Sequence, residues 1–247
     1  MKISPSSIGR LLEEISWEGN ARKYRQGGRG FENVLTAEVF QALDFLPRSS
    51  FLGRIIASLE GGDPETLRLL SEQIEHTTFS LLPGGIFLSE GSSAGEPPLE
   101  VQPDGILESP SVYCLLEVKR IKPAYFQAEQ LSREYLTALQ EAEDRRPLLL
   151  LVLPKPPPVL VKGHGHMSLR EAVAQSIQAV LDRAEAEFPP AEELVQRVDA
   201  VFAYTTWACV QQDVEAAVED FAAAAPSLRA SISRVAKAVT SAIQWHS

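Results

Sequence analysis

Cysteine, methionine, long apolar runs and positive charge are all in short supply in this chain. Only two cysteines occur, Cys114 and Cys209, too few for a disulfide framework or a cysteine-rich zinc module. Both are flanked by apolar residues, so the expectation is two buried free thiols. The longest uninterrupted apolar run is Leu148 to Leu153, far short of the roughly 20 residues that cross a bilayer. Met1-Lys2-Ile3-Ser4-Pro5 is not followed by the apolar stretch of a signal peptide, and a cytoplasmic protein with no membrane partner is expected. Against 33 Asp and Glu stand 23 Lys and Arg, a net charge of −10. Phosphate neutralisation depends on Lys and Arg, so this balance argues against indiscriminate nucleic-acid binding; any such partner must meet a local basic surface. Two clusters offer one: Arg22, Lys23, Arg25 and Arg29, free of any acid between them, and Lys119, Arg120 and Lys122. For the first cluster a solvated, Gly-containing loop is an equal alternative.

What is present is a regular alternation of helical and strand patterns. Phe31, Val34, Leu35, Val39, Leu43 and Leu46 recur at spacings near three and four and predict a helix over 30–46 with one buried face, closed by Pro47. A second helix is predicted from Asp63 and Pro64 to about Thr77, with Asp as N-cap and Pro at the first helical position. Residues 85–89, 101–107 and 112–119 are short, bounded by Gly, Pro and Ser, and read as strands. Residues 90–98 are a loop by composition. A helix follows from Pro123 to about Asp144, then a strand over 148–153 bracketed by Pro147 and Pro154. Ser168-Leu-Arg-Glu171 resembles a capping box that opens a helix to about Phe188, residues 199–207 read as a last strand, and the remainder is helical with a break at Pro226. These patterns predict an α/β fold with a mixed sheet covered by helices. Residues 1–247 are read as one domain, with a core over about 25–155 and a C-terminal α/β extension over about 156–247, rich in helix.

The chemistry concentrates between Gln102 and Arg120. Residues two apart on a strand share a side, so Glu117 and Lys119 project together while Leu116 and Val118 face the other layer. Charges at the end of an apolar strand cost desolvation unless a cation, a phosphate or a counter-charge compensates. Asp104 is read as ending the preceding strand, and the interval from Gly105 to Tyr113 suits a reversal that brings its carboxylate beside Glu117. Two neighbouring carboxylates form a hard-oxygen site suited to Mg²⁺ (or Mn²⁺), and Lys119 is placed to orient a water or balance charge on a phosphate. The plainer role for Lys119 is a salt bridge to Glu117.

These residues resemble the PD-(D/E)XK nuclease superfamily, with Pro103-Asp104 matching its PD and Glu117-Val118-Lys119 its (D/E)XK. The resemblance spans about residues 25–155 and implies a restriction-endonuclease-like αβββαβ core and metal-dependent hydrolysis of phosphodiesters, DNA first, RNA not excluded. It also implies a glutamate on the first core helix that completes the metal site. Gly30-Phe31-Glu32 is similar to the opening of Mrr-like members, which favours Glu32, with Glu38 as the alternative. Some members carry Q-x-x-x-Y on the helix after the lysine; Gln130 lies five residues before Tyr135, one off that spacing. Gln130 is therefore expected near the site and Gln127, three residues earlier, beside a phosphate.

Gly163-His164-Gly165-His166 offers two imidazoles but lacks a third ligand at a familiar spacing, which favours a loop. Trp207 is read as core. Three functions remain open: a Mg²⁺-dependent endonuclease acting on DNA, a catalytically inactive nuclease-fold accessory or nucleic-acid-binding protein, and an unrelated α/β protein whose E-x-K is only an ion pair. A homodimer would suit cleavage of both strands of a duplex.

Overall fold

A computed structural model describes residues 29–91, 98–121, 124–221 and 226–247, the side chains of 29–32 excepted. Its first element is helix α1 (Arg29–Phe45), whose Leu35, Val39 and Leu43 follow one another at the four-residue repeat and are all fully buried. Helix α2 (Leu52–Ala57) and strand β1 (Glu60–Gly61) follow. Gly61 has φ +77°, and a Cβ there would lie 2.8 Å from the Phe202 carbonyl, so only glycine fits this edge pairing. Helix α3 (Pro64–Glu72) starts as the sequence predicts: the Asp63 carboxylate accepts the Thr66 amide at 2.9 Å, with Pro64 next. The predicted continuation to Thr77 is instead a separate 3₁₀ turn (Ile74–His76).

One sheet organises the molecule. Its strands run β1, β10 (Phe202–Thr206), β7 (Arg146–Leu153), β6 (Val112–Val118), β5 (Gly105–Glu108), β2 (Thr78–Leu81). β10, β7 and β6 are parallel, while β1, β5 and β2 run antiparallel to their neighbours. The sheet is therefore mixed and flanked by helices, as the patterns predict. Strand β2 went unread in the sequence. The predicted strand over 85–89 does exist as β3 (Ile86–Ser89), but it pairs with β4 (Leu99–Val101) in a separate two-stranded sheet. The strand expected over 101–107 is thus two strands, β4 and β5, and Asp104 stands just before β5 instead of ending a strand.

Helix α4 (Gln130–Ala142) begins later than predicted, because residues 124–129 run irregularly and pair through Phe126 with Val161. The predicted His164 loop is a hairpin of β8 (Val159–Val161) and β9 (Gly165–Met167). The capping box at Ser168 is present and opens α5 (Leu169–Leu181). Helix α6 (Ala191–Val201) occupies residues that carried no assignment up to 198, so the last strand starts at Phe202. Trp207 then opens α7 (Trp207–Asp220), and α8 (Pro226–His246) ends the chain.

The sheet separates two apolar cores. Leu116, Val118, Leu150 and Val152 face α1, α2, α3, α7 and α8, whereas Tyr113, Leu115, Leu149 and Leu151 face α4, α5 and α6. That alternation puts odd-numbered β6 residues on the α4 side. Trp207 is buried, as expected of a core residue. Of the two thiols, Cys114 is buried but Cys209 is exposed on α7, against the expectation of two buried ones, because an outward helical position overrides its apolar neighbours. Among the described residues no helix is long and apolar enough to cross a membrane.

Candidate functional site

Strand register aligns the acid pair. Gly105 pairs with Leu116 in the antiparallel β5–β6 ladder, so one step further Asp104 stands opposite Glu117 and their side chains share a face. Asp104 Oδ2 accepts the Val118 amide at 2.7 Å, and its carbonyl accepts the amide of Leu82 at 2.9 Å. Leu82 holds a left-handed backbone, φ 48°, a costly conformation for a branched side chain that here secures Asp104. Gly105 leaves the close approach open: a Cβ would stand 3.1 Å from Leu116 and 3.2 Å from Phe79. Lys119 continues the β6–β7 ladder, its amide donating to the Val152 carbonyl at 2.8 Å, and its own carbonyl accepts the indole N–H of Trp207 at 2.7 Å. The end of β6 is thereby fixed from both neighbours.

Asp104, Glu117 and Lys119 are all buried, at 8%, 5% and 8% exposure. Lys119 Nζ donates to Glu117 Oε1 at 2.5 Å and to Gln130 Oε1 at 3.3 Å, and lies 4.6 Å from the centre of the Phe126 ring. Gln130, on the first turn of α4, uses both ends of its carboxamide: Oε1 also accepts the Gln127 amide, and Nε2 donates to Glu117 at 2.6 Å. The ion pair read as the plainer role of Lys119 is therefore present, inside a network too buried for a surface salt bridge.

The sequence reading missed Glu134. It lies one helical turn after Gln130, whose Nε2 donates to Glu134 Oε1 at 2.7 Å, while Glu134 Oε2 is buried without a hydrogen-bond partner. Burial, and then the nearby charge of Glu117, hold its carboxyl well above the usual carboxylate range. The i, i+4 spacing from Gln130 was the available signal. Tyr135, weighed in that place, turns away and donates its hydroxyl to the Leu194 carbonyl at 2.9 Å.

The other expected residues fall into two groups. Glu38, the alternative to Glu32, is exposed on α1 and its carboxylate meets His246 Nε2 at 3.3 Å, so it is not drawn into the Lys119 network. Gln127 is exposed and meets the site through its amide, which donates to Gln130 Oε1. Arg120 is partly exposed just past Lys119. Arg22, Lys23, Arg25 and Lys122 lie outside the described residues, as do the side chains of Arg29 and Glu32. Among the described residues no group of three or more His, Cys, Asp or Glu side chains is arranged to hold a metal ion. No family model, curated protein or solved structure matches the chain.

Proposed function

We propose that this chain is a metal-dependent nuclease of the PD-(D/E)XK type, acting on DNA. The observation that carries it is the convergence of Asp104, Glu117 and Lys119 at one buried corner, where Asp104 accepts the Val118 amide and Gln130 bridges Glu117 and Lys119 to α4. Element order supports the same reading. Helix α1, strands β2, β5 and β6, helix α4 and strand β7 occur in the order α-β-β-β-α-β, three antiparallel strands and then a parallel one, with α2, β1, α3 and the 3₁₀ turn inserted after α1 and the β3–β4 hairpin after β2.

Two carboxylates at this corner, Asp104 and Glu117, are oxygen donors of the kind a hard divalent cation takes, and beside them Glu134 Oε2 is buried and unpartnered. Asp104 and Glu117 would hold Mg²⁺ or Mn²⁺, with Glu32 as the expected further ligand. Bound there, the cation would supply polarisation of the scissile phosphate and a more reactive water. Lys119 carries a positive charge to the phosphate oxygens, where negative charge grows in the transition state. Glu117 and Gln130 fix the ammonium in place, and the Phe126 ring beneath it keeps bulk water from one side.

The test is nicking of plasmid and cleavage of single-stranded DNA with Mg²⁺ or Mn²⁺ and with chelator. Activity should require the metal and fall about 100-fold or more in Lys119→Met and Glu117→Gln, assayed well below each variant's melting temperature. The inactive-accessory reading draws on the closed Glu117–Lys119 ion pair and the net charge of −10. Metal-independent binding with no cleavage by the folded wild type would favour it and end the hydrolase proposal.

A further inference from the structure

Beside the candidate corner lies a small surface with no role so far, built from the β8–β9 hairpin and the segment that bridges to it through Phe126. Phe126 pairs in parallel with Val161, its amide donating to the Leu160 carbonyl and its carbonyl accepting the Lys162 amide, both at 2.9 Å; β9 completes the ribbon, with Leu160 opposite His166. Burial alternates along β8 and around Phe126, whereas residues 162–166 are all exposed. Phe126, Val159 and Val161 face inward at 2%, 7% and 2% exposure, while Tyr125 and Leu160 face solvent at 46% and 38%. Gln127, Lys162, His164 and His166 are exposed with them.

These six outward residues comprise an aromatic ring, an aliphatic chain, an amide, an ammonium and two imidazoles, and no carboxylate. In a chain with 33 acids and 23 bases such a face is locally complementary to a polyanion. Glu171 lines a hollow with His164 and His166, and its carboxylate accepts the Ser168 amide and hydroxyl, both at 2.8 Å. Strand spacing of about 4.8 Å makes the ribbon roughly 10 Å wide, the breadth of one nucleic-acid strand and about half that of a duplex. An exposed tyrosine on a sheet face is a surface on which an unpaired base stacks, whereas paired bases offer no free face. The face lies next to the candidate site: the Phe126 ring, on the inner side of the same ribbon, is the one beneath Lys119 Nζ, so the outward residues stand across the ribbon from the ammonium.

We infer that this face, Tyr125 with Leu160, Lys162 and the two histidines, binds a single strand of nucleic acid beside the corner that holds Lys119. The inference rests on the nuclease reading for the use of a strand held there, and on the face itself for its binding.

Anisotropy of a labelled single-stranded oligodeoxynucleotide of about 12 residues, with Ca²⁺ replacing Mg²⁺, tests it. Tyr125→Ala should weaken binding about tenfold and Tyr125→Phe less than about twofold. Lys162→Ala should reduce the slope of log affinity against log salt by about 0.7. Phe45→Ala removes a more solvent-facing ring on α1, 71% exposed against 46% for Tyr125, and should change nothing. Unchanged affinity in Tyr125→Ala, or duplex competing as well as single strand, overturns the inference. Wild-type hydrolysis of bis(4-nitrophenyl) phosphate, too small to span the ribbon, judges the catalytic reading separately. Its absence alongside Tyr125-dependent binding would remove the hydrolase and sustain the surface.

Discussion

Lys119→Met deletes the ammonium while keeping an apolar stem against Phe126, and so asks what the buried corner costs when its positive charge is gone. Glu117 would be left 5% exposed, with the Gln130 carboxamide still donating to it at 2.6 Å. Removing one partner of a buried ion pair costs about 3–5 kcal/mol. The surviving Gln130 bond places this case near the lower end, about 3 kcal/mol. For a domain of this size that corresponds to a fall in Tm of roughly 6–12 °C. Adding Glu117→Gln removes the stranded charge, and the double variant should return to within about 1 kcal/mol of wild type. Urea and thermal denaturation of the four proteins at pH 7 close the cycle. If Lys119→Met alone is as stable as wild type within about 0.5 kcal/mol, the two groups are not buried together and the geometry of the corner is wrong.

Glu134 should make stability depend on pH in the sense opposite to a paired carboxylate. Its folded-state pKa is raised, by burial and by the Glu117 charge, so its contribution is fully present below the unfolded-state value and lost as pH rises through the folded-state value. Glu134→Gln should therefore raise Tm at pH 8 and have little effect near pH 4; equal effects at both would show that Glu134 does not carry the penalty. Gly105→Ala would place a Cβ 3.1–3.3 Å from Leu116, Phe79 and the Ser80 carbonyl, costing about 1–3 kcal/mol. It should also cut DNA cleavage more than the stability loss explains, because the shift is transmitted to Asp104, and retained full activity would refute that link. Under native conditions a thiol reagent should titrate one cysteine. Cys209 is exposed, whereas burial pushes the Cys114 thiol up to about 12, and fast modification of both would contradict the packing of β6.

Sequence alone determined the elements whose causes are local. The Asp63-Pro64 start, the Ser168–Glu171 capping box and the buried stripe of α1 depend on neighbours within one helical turn, and each lies where the spacing put it. Period-two alternation likewise fixed that Glu117 and Lys119 share a side while Leu116 and Val118 face the other core. Pairing over distance was not legible in this way. Whether residues 86–89 or 78–81 join the main sheet depends on which partner edge is free, and that is settled across the fold; the result is a side hairpin for the former and a place beside β5 for the latter. The same is true of Glu134. A glutamate on an amphipathic helix looks solvated until the helix is laid across the end of β6, and only then does its carboxylate face Gln130 and the Glu117–Lys119 pair, out of water. Local hydrogen bonds and side-chain period are written in consecutive residues, whereas the depth of a charge is a property of everything packed around it.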